Sequence, residues 1–142
     1  NIGKGVSFIH EWAIASSSLK EVNVDPENKH FTSENGVLFN KDKTELLLYP
    51  ANKNTDVYRI PESVKTIKIG AISQAKNLRK IYIGSGVEKI EGANFYESFE
   101  DSEFNETNYD IYYDGTEKQW NNLFVSEYER EYIDKTRINY LQ

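Results

Sequence analysis

Ile60-Pro61-Glu62-Ser63-Val64-Lys65-Thr66-Ile67, followed by Ala71-Ile72, Ala75 and Leu78-Arg79-Lys80-Ile81-Tyr82-Ile83, is the stretch that decides the fold. The same chain holds two gapless counterparts. One runs Ile2-Gly-Lys-Gly-Val6-Ser-Phe-Ile9 with Ala13-Ile14 and Ser17; the other runs Ile83-Gly-Ser-Gly-Val87-Glu-Lys-Ile90 with Asn94-Phe95 and Ser98. Leu19, Val22 and Val24 close the first copy as Leu78, Ile81 and Ile83 close the second. Apolar residues at offsets 0, 4, 7 and 12 from the leading isoleucine fit neither one long helix nor one long strand. They fit a short coil of chain that turns inward several times per circuit. Self-similarity of this kind is the mark of stacked repeats, none of which can bury its apolar face alone. Ile60 to Ile83 is 23 residues, the bare period; Val24 to Ile60 is 36 and Ile83 to Tyr113 is 30, implying insertions of 13 and 7.

Composition narrows the function classes. The chain has 142 residues, with 17 Lys plus Arg against 23 acids and a net charge of −6. That balance argues against binding a nucleic-acid backbone. Leu, Ile, Val and Phe total 36, about a quarter of the chain and enough for a folded core. Ile plus Val number 21 against 8 Leu, which tilts the expectation toward strands. Having no Cys, the chain has no disulfide framework, thiolate metal site or thiol nucleophile. No apolar run approaches the length that membrane insertion of this segment would need. With no Met and Asn1 at the start, the chain reads as cut from a longer one, so the missing leader says nothing about location. Ile2 matches the second inward position of a strand whose first half is absent. Upstream repeats are therefore expected, and the raw edge would favour edge-to-edge self-association.

The pattern Ile-Pro-x-Ser-Val-x-x-Ile, then a small residue with a bulky apolar one, then Asn-Leu-x-x-Ile-x-Ile, resembles the BspA-like leucine-rich repeat family of bacterial surface proteins. Phe31-Thr-Ser-Glu-Asn-Gly-Val-Leu-Phe-Asn-Lys-Asp-Lys-Thr-Glu-Leu-Leu-Leu-Tyr-Pro50 is similar to a hairpin that interrupts repeats in that family, and Ile111-Tyr-Tyr-Asp-Gly-Thr-Glu-Lys-Gln-Trp120 to its C-terminal unit. The resemblance covers residues 2 to about 124. Asn94 departs from it, standing where the family usually has Ala, and Ile69-Gly70 is shifted from the usual order. Ser17, Ala75 and Ser98 fill a slot that often holds Cys.

The resemblance implies an α/β solenoid, a short leucine-rich-repeat array with parallel strands over residues 1–125. It carries a β-hairpin insertion at about 30–56 and a C-terminal cap at 126–142. It further implies a non-catalytic binding module of a secreted or cell-surface bacterial protein. The partner would be a protein or glycan ligand on a host or neighbouring cell, with no cofactor. A structural spacer that presents another domain is the alternative, and a carbohydrate-active enzyme ranks behind both.

Period-two alternation gives the faces. Val22/Val24, Tyr58/Ile60, Ile81/Ile83 and Ile111/Tyr113 point inward. Glu21, Asn23 and Asp25, then Val57 and Arg59, then Lys80 and Tyr82, then Asp110, Tyr112 and Asp114 point outward. A column Asn23, Arg59, Tyr82, Tyr112, flanked by Lys80, is the candidate ligand-binding face, because Tyr and Arg combine contact area with hydrogen bonding. The competing reading is that these tyrosines are ordinary strand-favouring residues. Within the insertion, Glu34-Asn35-Gly36 and Lys41-Asp42-Lys43 supply turns, and Val37–Phe39 and Leu46–Tyr49 supply strands of a hairpin packed on the edge. Thr116-Glu-Lys-Gln119 has capping-box spacing for a short helix through Trp120 and Leu123. The tail from Ser126 pairs Tyr128 with Tyr132 and ends in a strand near Thr136–Leu141, read as a polar cap.

No catalytic constellation stands out. His10 and His30 have no carboxylate at a metal-ligand spacing and read as surface residues. Ser16-Ser17-Ser18 lacks a nucleophile elbow. Gly3, Gly5, Gly84 and Gly86 share positions with Pro61 and Ser63, so they read as turns and not as a phosphate loop. Five acids between Glu97 and Glu106 lack calcium-loop spacing and read as a solvated insertion.

Overall fold

Two ladders of parallel strands, one for each half of the repeat, organise the chain in its computed structural model. The structure describes all residues except 11, 15, 17, 74, 98–104, 107–108 and 132, and the backbone alone at 96–97, 105–106 and 128. In chain order the strands are β1 (Phe31–Glu34), β2 (Val37–Asn40), β3 (Glu45–Leu48), β4 (Val57–Arg59), β5 (Thr66–Ile67), β6 (Lys80–Ile83) and β7 (Lys89–Ile90). After them come β8 (Tyr96–Glu97), β9 (Asn105–Glu106), β10 (Asp110–Tyr113), helices α1 (Glu117–Asn122) and α2 (Glu127–Glu131), and β11 (Ile138–Tyr140). One sheet has the order β11-β10-β6-β4, parallel throughout. The other has the order β1-β2-β3-β5-β7, with β3, β5 and β7 parallel and Ile90 bridged in parallel to Phe124.

The register follows the repeat. Tyr58 pairs with Ile81, Ile81 with Ile111 and Ile111 with Ile138, while Ile67 pairs with Ile90. Ile67, Ile81, Ile90 and Ile111 are fully buried, each rung contributing roughly 1.5–3 kcal/mol by area bookkeeping. Turns recur at equivalent places as well. Val6 N–H donates to Gly3 C=O at 3.2 Å, Val64 N–H to Pro61 C=O at 3.0 Å, and Val87 N–H to Gly84 C=O at 3.2 Å. The glycine pairs therefore make the same turn that Pro61 and Ser63 make, as their spacing implies.

The α/β expectation is corrected to a mostly-β architecture with parallel sheets and few helices. Turns at 61–64, 68–71 and 75–78 leave runs of only a few residues between them. Such runs cannot repay the nucleation cost of a helix, so the second half of the repeat settles as turn plus short strand. Helices α1 and α2 come after the last repeat. Thr116 caps α1 through a complete capping box with Gln119, as the spacing predicts. Trp120 is buried against Phe95, Tyr113 and Phe124, with ring centroids 5.8, 5.4 and 5.1 Å away.

The insertion differs from a hairpin lying on the edge. Asn35 and Gly36 take positive φ values of 51° and 77°, the primed turn that Asn-Gly favours. However, Phe31–Glu34 adds a third strand, and β3 joins the second ladder beside β5. Strand β2 is buried on both faces. Val37 and Phe39 enter the main core, whereas Leu38 packs with Ile2 and Val22 in a second cluster that includes Val6, Ile9, Ile14 and Leu19. The tail also differs from a purely polar cover. β11 extends the first ladder, with Ile138 and Tyr140 packed on the main core. Glu129 accepts from the Ala93 N–H at 2.9 Å, holding the tail to the last repeat. Ser17, Ser98, Tyr132, the Tyr128 side chain and most of the acidic stretch 97–106 lie outside the described residues. Among the described residues no helix is long and apolar enough to cross a membrane.

On the second ladder Glu91 gathers three donors: Lys68 Nζ at 2.9 Å, Lys89 Nζ at 3.2 Å and the Ile69 N–H at 3.2 Å. Burial pushes the Glu91 carboxyl up, but the hydrogen bonds from Lys68, Lys89 and Ile69 outweigh it and hold the group below its ordinary value of 4.5. A carboxyl depressed in the folded state stabilises fully above its unfolded value, and that contribution is lost as pH falls through the folded one. Denaturant midpoints measured at pH values descending from 4.5 are therefore expected to fall less steeply in Glu91→Gln than in the parent. At neutral pH the substitution is expected to cost about 1 kcal/mol.

Candidate binding face

The outward side of the first ladder carries a continuous stack of side chains. Parallel register sets Arg59 beside Tyr82, Tyr82 beside Tyr112, and Tyr112 beside Asn139. Period two then sends all four to one face, because their neighbours Tyr58, Ile81, Ile83, Ile111 and Tyr113 take the core side. The Arg59 guanidinium carbon lies 3.7 Å from the Tyr82 ring centroid. Tyr82 and Tyr112 stack with centroids 4.9 Å apart and planes 18° apart. Lys80 Nζ stands 5.9 Å from the Tyr112 centroid. Cation–π contacts at exposed sites are worth roughly 0.5–1 kcal/mol and a stacked aromatic pair about 0.5–1.5 kcal/mol. These contacts hold the side chains in place against one another.

Of the five candidates, Arg59, Lys80, Tyr82 and Tyr112 are brought together; Asn23 is not. The first copy of the repeat gives its backbone bonds elsewhere: Ile2 N–H donates to Asn23 C=O at 2.7 Å, Val22 N–H to Gly36 C=O at 2.8 Å, and Val24 N–H to Ser33 Oγ at 3.0 Å. The three-stranded insertion thus takes the place beside residues 22–24, and Asn23 Nδ2 turns to Glu21 Oε1 at 3.0 Å. At the other end the face is longer than the expected column. Asn139 continues the row, and Arg137 pairs with Asp110 at 3.3 Å beside it. Counting the strand near Thr136–Leu141 into the ladder, instead of into a cap, would have found them.

A separate concavity of about 420 Å³ lies between residues 7–14 and the second ladder, lined by Phe8, Trp12, Phe31, Leu38, Leu47 and Ile69 among others. Trp12 has φ of 69° and its ring rests on Gly70, where any side chain would collide with it. His10 and His30 are both exposed. Among the described residues no group of three or more His, Asp or Glu is placed to hold a metal ion.

Short parallel strands on a bare period of 23 residues lengthened by insertions, with isoleucine and leucine at buried rungs, are the construction of a leucine-rich repeat protein. The solved structures that resemble this chain include a bacterial leucine-rich repeat protein, consistent with the BspA-like family. A leucine-rich repeat protein from Eubacterium ventriosum is 35% identical over 78% of this chain and 28% of its own length, with a TM-score of 0.66. The pneumococcal vaccine antigen PcpA is 36% identical over 66% of this chain and 23% of its own length, with a TM-score of 0.61. The chain therefore spans about a quarter of the length of either structure. No family model and no curated protein matches it.

Proposed function

We propose that the chain is a segment of a leucine-rich-repeat solenoid and acts as a non-catalytic binding module of a secreted or cell-surface bacterial protein. It engages a protein or glycan on a host or neighbouring cell through the outward face of the first ladder. The observation that carries this reading is the ordered row Arg59–Tyr82–Tyr112, with the guanidinium and both rings fixed at contact distance on one face. Residues of these types dominate interface energetics when they are pre-positioned. Likeness to a vaccine antigen supports a surface location.

The test is the triple variant Arg59→Ala, Tyr82→Ala, Tyr112→Ala, compared with the parent on an array of host proteins and glycans. Loss of the stack is expected to cost about 1–2 kcal/mol of stability, leaving the chain folded by circular dichroism. Affinity for the captured partner is expected to fall by about thirtyfold or more, the scale of a hot-spot cluster. Unchanged affinity would overturn the reading and leave a spacer role in its place.

A further inference from the structure

We infer that the face selects an acidic polypeptide segment, seating a carboxylate against Arg59 and Lys80; this rests on the binding-module reading above and specifies its ligand. A sugar ring that packs on an aromatic needs an open ring face. Tyr82 offers none, since Arg59 covers one side at 3.7 Å and Tyr112 the other at 4.9 Å. Tyr112 has its free side toward its register partner Asn139, with Lys80 5.9 Å from its centroid. What remains for a partner is the Asn139 side of Tyr112, two ring edges with their hydroxyls, and two cationic heads.

The chain carries 23 acids against 17 bases, yet among the described residues neither Arg59 nor Lys80 has a carboxylate within ion-pair distance. Some other cations are paired, Lys68 and Lys89 with Glu91 and Arg137 with Asp110; what sets Arg59 and Lys80 apart is that both stand over the tyrosine rings of one face. Two unneutralised cations over tyrosine rings suit a carboxylate, which accepts charge-assisted hydrogen bonds from Arg, Lys and hydroxyl groups alike. The surroundings then choose between acidic ligands. Asp110 pairs with Lys80 in register and exposed Asp114 follows Tyr113 on the same sheet, so a dense polyanion would meet repulsion a few residues from the cations. A peptide can place one acid on the cations and an uncharged residue beside it. Val57, exposed and in register with Lys80, offers an apolar contact for that neighbour. The ligand is therefore a peptide with spaced acids, and not a sulfated glycan.

The test uses a fluorescein-labelled peptide in which Glu and Val alternate, read by fluorescence anisotropy, with the Gln–Val analogue as control and heparin and cellohexaose as competitors. The Glu–Val peptide is expected to bind about tenfold or more tightly than the Gln–Val peptide, as the loss of charge-assisted bonds implies. The double variant Arg59→Gln, Lys80→Gln is expected to remove that preference, and raising salt from about 50 mM to about 300 mM to weaken it. Equal binding of the two peptides, an unaffected double variant, or displacement by cellohexaose or heparin would each overturn the inference. Failure of the peptide to bind, while the triple variant above still loses its array partner, would sink the charge selection and leave the binding module standing. If neither effect is seen, both fail.

Discussion

Truncating Trp120 to alanine is expected to cost about 3–5 kcal/mol, the range for removing a large aromatic from a core. That is enough to unfold much of a domain with ordinary marginal stability. Trp120 is the largest fully buried side chain, and it holds Phe95 from the last repeat, Tyr113 from β10 and Phe124 from the second ladder in one aromatic cluster. The residue thus ties the ends of both ladders, because Phe124 is followed by Val125, whose N–H donates to Ile90 C=O, while Ile90 N–H donates to Leu123 C=O. Urea unfolding followed by far-UV circular dichroism is the measurement, since the substitution removes a fluorophore. Trp120→Phe separates size from mere aromaticity: it is expected to recover more than half of the loss. A loss below about 1 kcal/mol in the alanine variant would mean that α1 is an attachment and not part of the core.

Much of this architecture can be read from residue types alone, and the places where reading fails have two physical causes. Spacings of 23 and 30 residues align Ile60 with Ile83 and Ile83 with Tyr113, and the parallel register is the one those spacings imply. The outward alternates Arg59, Tyr82 and Tyr112 follow without further information. Apolar periodicity, however, says nothing about which sheet an insertion joins. The segment between Val24 and Ile60, lengthened by 13 residues over the bare period, turns out to carry β1, β2 and β3 between residues 22–24 and the rest of the stack. Asn23 is separated from Arg59 for that reason. The tail likewise contains a short Ile-Asn-Tyr strand that periodicity over so few residues cannot assign to a ladder. Buried polar residues are the other blind spot. Asn94 stands in a slot that usually holds alanine, and the structure accounts for the departure. Its Nδ2 donates to Lys68 C=O at 2.9 Å and Glu91 C=O at 2.7 Å, and its Oδ1 accepts from Ile72 N–H at 3.1 Å. An asparagine that satisfies backbone groups of two repeats leaves no signature in sequence until those groups are located.

Asn28 makes the same point at the other end of the molecule and yields the second large effect. It is completely buried. Its Nδ2 donates to Gly3 C=O and Val6 C=O, both at 2.9 Å, and its Oδ1 accepts from the N–H groups of His30 and Phe31, both at 2.8 Å. All four hydrogen-bonding positions of the amide are therefore in use, joining the first turn of the first repeat to the start of β1. Asn28→Ala strands two carbonyls and two N–H groups where water has poor access, and the expected cost is about 2–4 kcal/mol. Asn28→Asp keeps the acceptor side but turns a carboxylate oxygen toward Gly3 and Val6 carbonyls. It is expected to be no better than alanine above pH 5 and to improve on acidification, as a protonated carboxyl regains one donor. Hydrogen exchange locates the damage. The cluster of Ile2, Val22 and Leu38 is separate from the main core, and stacked repeats distribute stability mainly through neighbouring interfaces. Amides of residues 2–24 and of β1 are thus expected to lose protection first, with β6 and β10 keeping theirs. Uniform loss across both ladders would instead make the two clusters a single cooperative unit, with Asn28 as much a part of the main core as Trp120.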